Sequence, residues 1–212
     1  MTHQSIQLFA TQLITYQVPD ADALNTDLRR VIKEREKTHP STHHSNMGGW
    51  QSSWDMDRWG GVSAIKLIAI ARNLANRLTT DRHGQAGKGP YPEHFAVTWL
   101  ANMWANVNRS GHGNEFHSHP GAYWSGVYYV DDGGIAADNS LGGELEFMDP
   151  RGALPVMNAP HLRMSGDLMA GGNEKIWPKP GRMVMFPAWL MHQVRPYRGN
   201  AERISIAFNL AV

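Results

Sequence analysis

The sequence predicts a mainly β fold, a cupin-like jelly-roll (double-stranded β-helix) with a helical N-terminal layer packed on one outer face. Three observations carry this. From Phe95 onward, short runs rich in Val, Trp, Tyr, Phe and Ile are separated by Gly, Pro, Asp and Asn, the texture of short strands joined by turns. Before Phe95, two segments place apolar residues at helical spacing. The chain also holds 21 Gly and 8 Trp in 212 residues, which suits many tight turns and bulky walls. A chain of this length can bury one sizeable core. Residues 1–212 are therefore read as one domain, with a strand and helical lead-in over 1–94 and the roll over 95–212.

In chain order, Gln7–Val18 reads as a strand and Pro19-Asp20 starts a helix over Ala21–Glu36, with Leu24, Leu28, Val31 and Ile32 on one face. The stretch His39–Asp57, rich in Ser, His, Gly and Trp, reads as a loop. A second helix spans Ser63–Arg82, striped by Ile65, Ile68, Leu74 and Leu78 and closed by Asp81-Arg82-His83-Gly84. Eight strands follow, near Ala96–Asn108, Glu115–His119, Trp124–Val130, Glu144–Phe147, Glu174–Trp177, Arg182–Phe186, His192–Arg195 and Arg203–Leu210. Asp131–Gly143 and Asp149–Gly172 are the long loops between them.

A formal net charge of +1 with scattered basic residues gives no electrostatic case for nucleic acid or an anionic membrane. No run approaches the roughly 20 apolar residues of a membrane span. The N-terminus lacks the basic and long apolar regions of a signal peptide. Cysteine is absent, which suits a reducing cytoplasm and leaves His, Asp and Glu as the metal donors.

Histidine is the informative residue. Of 11 in the chain, three fall between His112 and His119. His117-Ser118-His119 lies where a strand begins, and alternate residues on a strand point the same way, so the two imidazoles can converge. His192, which follows the apolar strand from Arg182, is best placed to arrive as a third ligand at the mouth of a roll. Three nitrogen donors suit iron, zinc, copper or nickel. A His-x-His pair is a weak signal alone. His112 has glycine neighbours typical of a turn, and His39, His43 and His44 have no strand beneath them.

The second signal is Arg203-Ile204-Ser205. On a strand, Ile204, Ile206 and Phe208 share one face, ready to pack on the helices. Arg203, Ser205 and Ala207 share the other and point into the roll. A buried guanidinium needs an anionic partner. Either a protein carboxylate such as Glu202 supplies it, or a small dicarboxylate is held by a bidentate Arg contact and the Ser hydroxyl.

Several stretches together resemble the 2-oxoglutarate- and iron(II)-dependent oxygenase superfamily, in particular its small bacterial branch. These are SNMGGWQS at 45–52, HSHPGAYWSGVYYV at 117–130, GGELEFMDPR at 142–151, PKPGRMVMFPAWLMHQVRP at 178–196 and ERISIAFN at 202–209. The resemblance implies iron(II) as metal and 2-oxoglutarate as co-substrate. It places His117 as first ligand, His119 at the position usually held by Asp or Glu, and His192 as distal ligand. Arg203 and Ser205 fall where the far carboxylate of 2-oxoglutarate is bound, with Asn108 and Tyr129 as further polar contacts. The implied reaction uses O2 to convert 2-oxoglutarate to succinate while hydroxylating a C–H bond of a small-molecule or peptide substrate. Histidine at 119 departs from the pattern: three neutral imidazoles leave an iron(II) site at +2 rather than +1. Bound 2-oxoglutarate could neutralise it, or Glu115 or Asp149 could serve in place of His119.

Other residues read as structural. Trp124, Tyr128 and Tyr129 are strand aromatics suited to core or to a pocket wall. Glu144 and Glu146 lie opposite the inward-facing Leu145 and Phe147 and are expected to be solvated. Gly142-Gly143 reads as a tight turn, and Trp50 either covers the mouth or pins its loop to the core. Two other functions are compatible with the residues: a cupin-like three-histidine metalloenzyme without 2-oxoglutarate, and a non-catalytic jelly-roll binding module.

Overall fold

A computed structural model of the chain describes residues 9–80, 97–152 and 172–212. The expected closing turn of the second helix, Asp81–Gly84, and most of the loop 149–172 lie outside them. None of the described helices is long and apolar enough to cross a membrane.

The fold is two facing antiparallel sheets. The described strands are β1 (Ile14–Gln17), β2 (Asn46–Met47), β3 (Trp50–Gln51), β4 (Leu100–Asn108), β5 (Gly113–His117), β6 (Trp124–Asp132), β7 (Leu145–Met148), β8 (Asn173–Ile176), β9 (Arg182–Pro187), β10 (His192–Val194) and β11 (Arg203–Ala211). The major sheet runs β1-β9-β6-β11-β4-β3 and the minor sheet β2-β5-β10-β7-β8. Helices α1 (Ala21–Thr38), α2 (Met56–Trp59) and α3 (Gly61–Leu78) complete the described elements of regular structure, with one short 3-10 turn at Asn139–Leu141. The lead-in is woven into the roll, because β1, β2 and β3 are each hydrogen-bonded to strands of the C-terminal half.

Period-2 alternation on β11 sets the layering. Ile204, Ile206, Phe208 and Leu210 are fully buried in a core shared with Leu24, Leu28 and Ile32 of α1 and Leu67, Ile68 and Ala71 of α3. Arg203, Ser205 and Ala207 face the other way, toward the minor sheet, as expected. Between the sheets a second cluster forms from Tyr129, Leu145, Phe147, Val184, Phe186 and Leu190. Two hydrogen bonds tie the helical layer to β6: Tyr128 Oη to Asn25 Oδ1 (2.7 Å) and Trp124 Nε1 to Thr79 Oγ1 (2.9 Å).

The structure differs from the sequence reading at several elements. The first strand is confined to Ile14–Gln17 within the described residues. The stretch 39–57 is not a plain loop: it carries β2, β3 and the start of α2. Trp50 is 7% exposed and donates its indole N–H to the His39 carbonyl (2.9 Å), so it pins this segment to the core rather than covering a mouth. On α3 the buried stripe is Ala64, Leu67, Ile68, Ala71 and Ala75, whereas Ile65 is 56% exposed. Ile68 is buried as expected and Leu74 and Leu78 pack partly buried against the core, while the alanines between them let the helix axis approach the sheet.

Glu144 and Glu146 are only 7% and 5% exposed, against the expected solvation. Leu145 and Phe147 do face inward, but the outer face is covered by the flanking strands. Lys175 of β8 pairs with Glu144 (3.2 Å), while Gln193 and Arg195 reach Glu146 from the other side.

The α3 stripe gives a direct check. Leu67→Ala should cost about 2–5 kcal/mol in urea unfolding, while Ile65→Ala should stay within about 0.5 kcal/mol. Equal losses at the two positions would contradict the packing described.

Candidate metal centre and co-substrate pocket

His117 and His192 are direct cross-strand partners in the β5–β10 ladder, and cross-strand neighbours bring their side chains close together. His117 closes β5 rather than opening a strand, and the chain turns away at Ser118. His119 keeps the same facing because its backbone N–H is held by the Ala188 carbonyl (2.9 Å), at the end of β9. The three rings are 4.4 to 5.2 Å apart between centroids. One nitrogen from each lies within 4.8 Å of the others, and this is the one group of three or more potential metal donors among the described residues. It includes neither Glu115, which is exposed, nor Asp149.

The hydrogen bonds fix which nitrogen is available. Nδ1 of His117 is 2.7 Å from the Glu115 carbonyl, and Nδ1 of His192 is 2.8 Å from the Leu190 carbonyl. A carbonyl only accepts, so each Nδ1 carries the proton and each Nε2 presents a lone pair. Ser45 Oγ sits 3.4 Å from His117 Nε2. Burial pushes all three imidazoles down from their ordinary value, His119 to about 4 and His192 to about 3, with the neighbouring imidazoles adding repulsion in both. At neutral pH the group is therefore three uncharged donors with no proton to displace. This chemistry fits a divalent transition metal.

The histidines open onto a cavity of about 600 Å³ between the sheets. At one end lies Arg203, 1% exposed. Its Nε donates to the Gly143 carbonyl (3.1 Å), one terminal nitrogen to Ser205 Oγ (3.3 Å), and the guanidinium lies 5.3 Å from the Tyr129 ring centre. Among the described residues it forms no ion pair. Glu202, the sequence candidate, points out and pairs with Lys33 and Arg109. The Asp132 carboxylate accepts from the amides of Gly134 and Ala136. Burial pushes the guanidinium down from its usual value while Tyr129 and Asp132 oppose this. It stays cationic. Among the described residues the buried Tyr129 hydroxyl makes no well-formed hydrogen bond, though it interacts with the neighbouring Arg203.

Gly143 does more than turn the chain. It has φ +74°, and a Cβ there would lie 2.8 Å from Ile135 and 3.3 Å from the Arg203 side chain. The backbone can therefore approach and offer its carbonyl.

A family model described as "Putative 2OG-Fe(II) oxygenase" matches residues 102–209, about half of the chain. The chain belongs to this 2OG-Fe(II) oxygenase family. No curated protein matches it. Among solved structures, a prolyl-4-hydroxylase from Pseudomonas putida superposes with a TM-score of 0.61 at 16% identity, covering 95% of this chain and 92% of that one. A Trichoplax adhaerens prolyl hydroxylase, solved with a hypoxia-inducible-factor peptide fragment, gives 0.61 at 16% identity, covering 94% and 83%. A viral collagen prolyl hydroxylase from Paramecium bursaria Chlorella virus-1, solved with 2-oxoglutarate, gives 0.57 at 14%, covering 94% and 96%. At these identities the likeness is one of fold, the double-stranded β-helix of the 2OG oxygenases.

The oxygenase therefore works with iron(II) and 2-oxoglutarate, and its residues offer a place for both. Of the sequence candidates, His117, His119, His192, Arg203, Ser205 and Tyr129 all line the one cavity. Asn108 does not line it. It pairs with Arg203 in register but is buried beneath Gly49, with its amide nitrogen unpartnered. His112 sits in a turn, its Nδ1 accepting from the Arg109 amide. Sequence reading missed Asn102, Trp104, Asn106 and Asn209, which also face the cavity. The signal was available in the odd–even alternation of β4 and β11.

Replacing the most buried ligand tests the centre. Purified without a His-tag, the wild-type protein should retain iron(II) at one equivalent. His192→Ala should weaken the affinity roughly a hundredfold or more, since even residues that only orient a ligand cost 10–100-fold. Iron titration with elemental analysis reads this, and equal affinity in both proteins would remove the centre.

Proposed function

We propose that this oxygenase hydroxylates a C–H bond of an organic substrate, holding iron(II) through His117, His119 and His192 and 2-oxoglutarate through Arg203 and Ser205. The observation that carries the reading is a fully buried guanidinium that forms no ion pair among the described residues, at the end of a cavity that also contains three convergent, uncharged imidazoles. A buried cation of that kind is costly unless an anion joins it, and a dicarboxylate supplies one. In a cupin-like metalloenzyme that does without 2-oxoglutarate, a protein carboxylate would be expected at this place.

When bound, iron(II) and 2-oxoglutarate together supply O2 activation, with decarboxylation to succinate coupled to oxidation of the substrate. The chain's own contribution is placement. The planar guanidinium can grip the far carboxylate through two parallel N–H donors. Ser205 Oγ and the Tyr129 hydroxyl are further donors at the same end. The Gly143 carbonyl holds Nε and so orients the fork. The Glu115 and Leu190 carbonyls keep the first and last imidazoles in the metal-binding tautomer. Phe147 and Phe186, with ring centres 6.0 and 4.7 Å from that of His192, keep water from its inner side. Prolyl residues of peptides, the substrates named for the solved neighbours, and small metabolites both fit a reaction of this class.

Calorimetry with 2-oxoglutarate on iron(II)-loaded protein under anaerobic conditions tests the assignment. Arg203→Ala should weaken binding by roughly thirtyfold or more, as loss of one side of a buried charge pair does. Arg203→Lys should recover only part of it, because an ammonium cannot form the paired contact. Undiminished binding by Arg203→Ala would defeat this assignment.

A further inference from the structure

The register of the major sheet divides the cavity into levels. Ala207 of β11 pairs with Trp104 of β4, and the Trp104 ring lies 5.8 Å from that of His119. That level faces the histidines. One step inward along β11 are Ser205 and then Arg203, opposite Asn106 and Asn108. One step outward, about 7 Å along the strands, Asn209 pairs with Asn102, and beyond them Ala211 pairs with Leu100, which is 63% exposed. The inner levels are taken up by the co-substrate reading, so the outer levels remain for the molecule to be oxidised.

The outer half has a distinct chemistry. No Asp, Glu or Lys lines the cavity among the described residues, and its one arginine is at the inner end. Among the described lining residues a charged group on a substrate lying outside the histidines meets no opposite charge, so nothing in that lining favours it over a neutral one. On the outer levels of β4 and β11 the polar side chains are carboxamides, and the His44 imidazole lies across from them against Trp54, with ring centres 4.7 Å apart. Asn209 Oδ1 accepts from Ser125 Oγ (2.6 Å), which leaves its amino group without a partner among the described residues. The Asn102 side chain forms no hydrogen bond among them. A cross-strand carboxamide pair offers planar donors and an acceptor at fixed spacing. Around it the surface is largely apolar: Leu100, Ala211, Ala122 and the indoles of Trp54 and Trp104, whose ring centres are 6.0 Å apart. A polyhydroxylated substrate would need polar partners along its whole length. One amide set in apolar surroundings needs only this pair.

We infer that the primary substrate is an uncharged molecule bearing an amide. Asn102 and Asn209 bind that amide, and the adjoining apolar group lies along Trp104 and Trp54, beside the histidines. This rests on the function proposed above, which supplies the reacting level. A peptide chain and a small carboxamide both carry such an amide, and the chemistry recognised is the same.

Three probes with one apolar group separate the possibilities: N-acetyl-leucinamide (neutral), N-acetyl-leucine (anionic) and leucinamide (cationic). They are titrated by calorimetry into anaerobic iron(II)-loaded protein, with and without 2-oxoglutarate. The neutral probe should bind at least roughly tenfold more tightly than either charged one. Asn102→Leu and Asn209→Leu should each weaken it by roughly three- to tenfold, the size of one lost hydrogen bond. Asn209→Asp should shift preference toward leucinamide, a reversal that a merely structural asparagine would not produce. A capped tripeptide amide binding more tightly than N-acetyl-leucinamide assigns the amide to a peptide, and equal binding assigns it to a small molecule. Equal affinity for the three probes, tighter binding of methyl glucoside, or no change in preference with Asn209→Asp overturns the inference. Binding of 2-oxoglutarate is scored separately: its absence with probe discrimination intact counts against the co-substrate assignment alone.

Discussion

The molecule depends on the alternation of one strand. β11 lies between β6 and β4 in the major sheet and is hydrogen-bonded along its length on both sides. Neither edge can slip without breaking a ladder, and a slip of one residue would exchange its two faces. One face carries Ile204, Ile206, Phe208 and Leu210 into the helical core. Turned over, it would put Arg203 against the apolar helical core and expose four large apolar side chains to the cavity. Burial of the apolar set thus fixes the direction of the guanidinium. Stability and the co-substrate pocket follow from the same constraint.

The minor sheet adds the metal donors by a similar device. His192 lies opposite His117 on one side and Phe147 on the other, so its ring is supported by the inner apolar cluster while its Nε2 faces the other imidazoles. A short strand suffices: His192–Val194 keeps register with β7, while its ladder to β5 shifts between His192 and Val194. The Leu190 carbonyl that holds its Nδ1 proton comes from the turn just before it. The geometry of the histidine group is therefore local at two corners and long-range at one.

These dependences explain what could be read without coordinates. The His-x-His pair, the β11 alternation and the order of strands are properties of neighbours two residues apart, and sequence displays them. His192 was assigned through its place after an apolar strand, and the ladder to β5 supports that choice. What escaped depends on the third dimension. The α3 stripe uses alanines, which carry little weight in a search for large apolar residues, yet they set how closely the helix can approach. Glu144 and Glu146 do face away from the inner core, but sequence cannot reveal that β8 and β10 flank β7 and cover them with Lys175, Gln193 and Arg195. The role of Gly143 is similarly hidden, because its closest neighbours, Ile135 and Arg203, belong to other parts of the chain.

Histidine at position 119 changes the charge of the whole site. With a carboxylate there, the protein would offset part of the metal charge itself. With three neutral imidazoles it offsets none, and the cavity lining adds a further positive charge at Arg203 with no acidic residue among its described members. A divalent metal and Arg203 then place three positive charges in a space of low dielectric, where such repulsion is strong. On the proposed reading, a dianionic co-substrate held by Arg203 and the metal site would remove most of it. On that reading metal and co-substrate binding would be coupled, each making the other more favourable by more than in a site with a carboxylate donor, and linkage requires the effect to be reciprocal. The departure from the usual ligand set thus shifts part of the work of charge balance from the protein to 2-oxoglutarate. It leaves the outer carboxamide level to recognise substrates without charge.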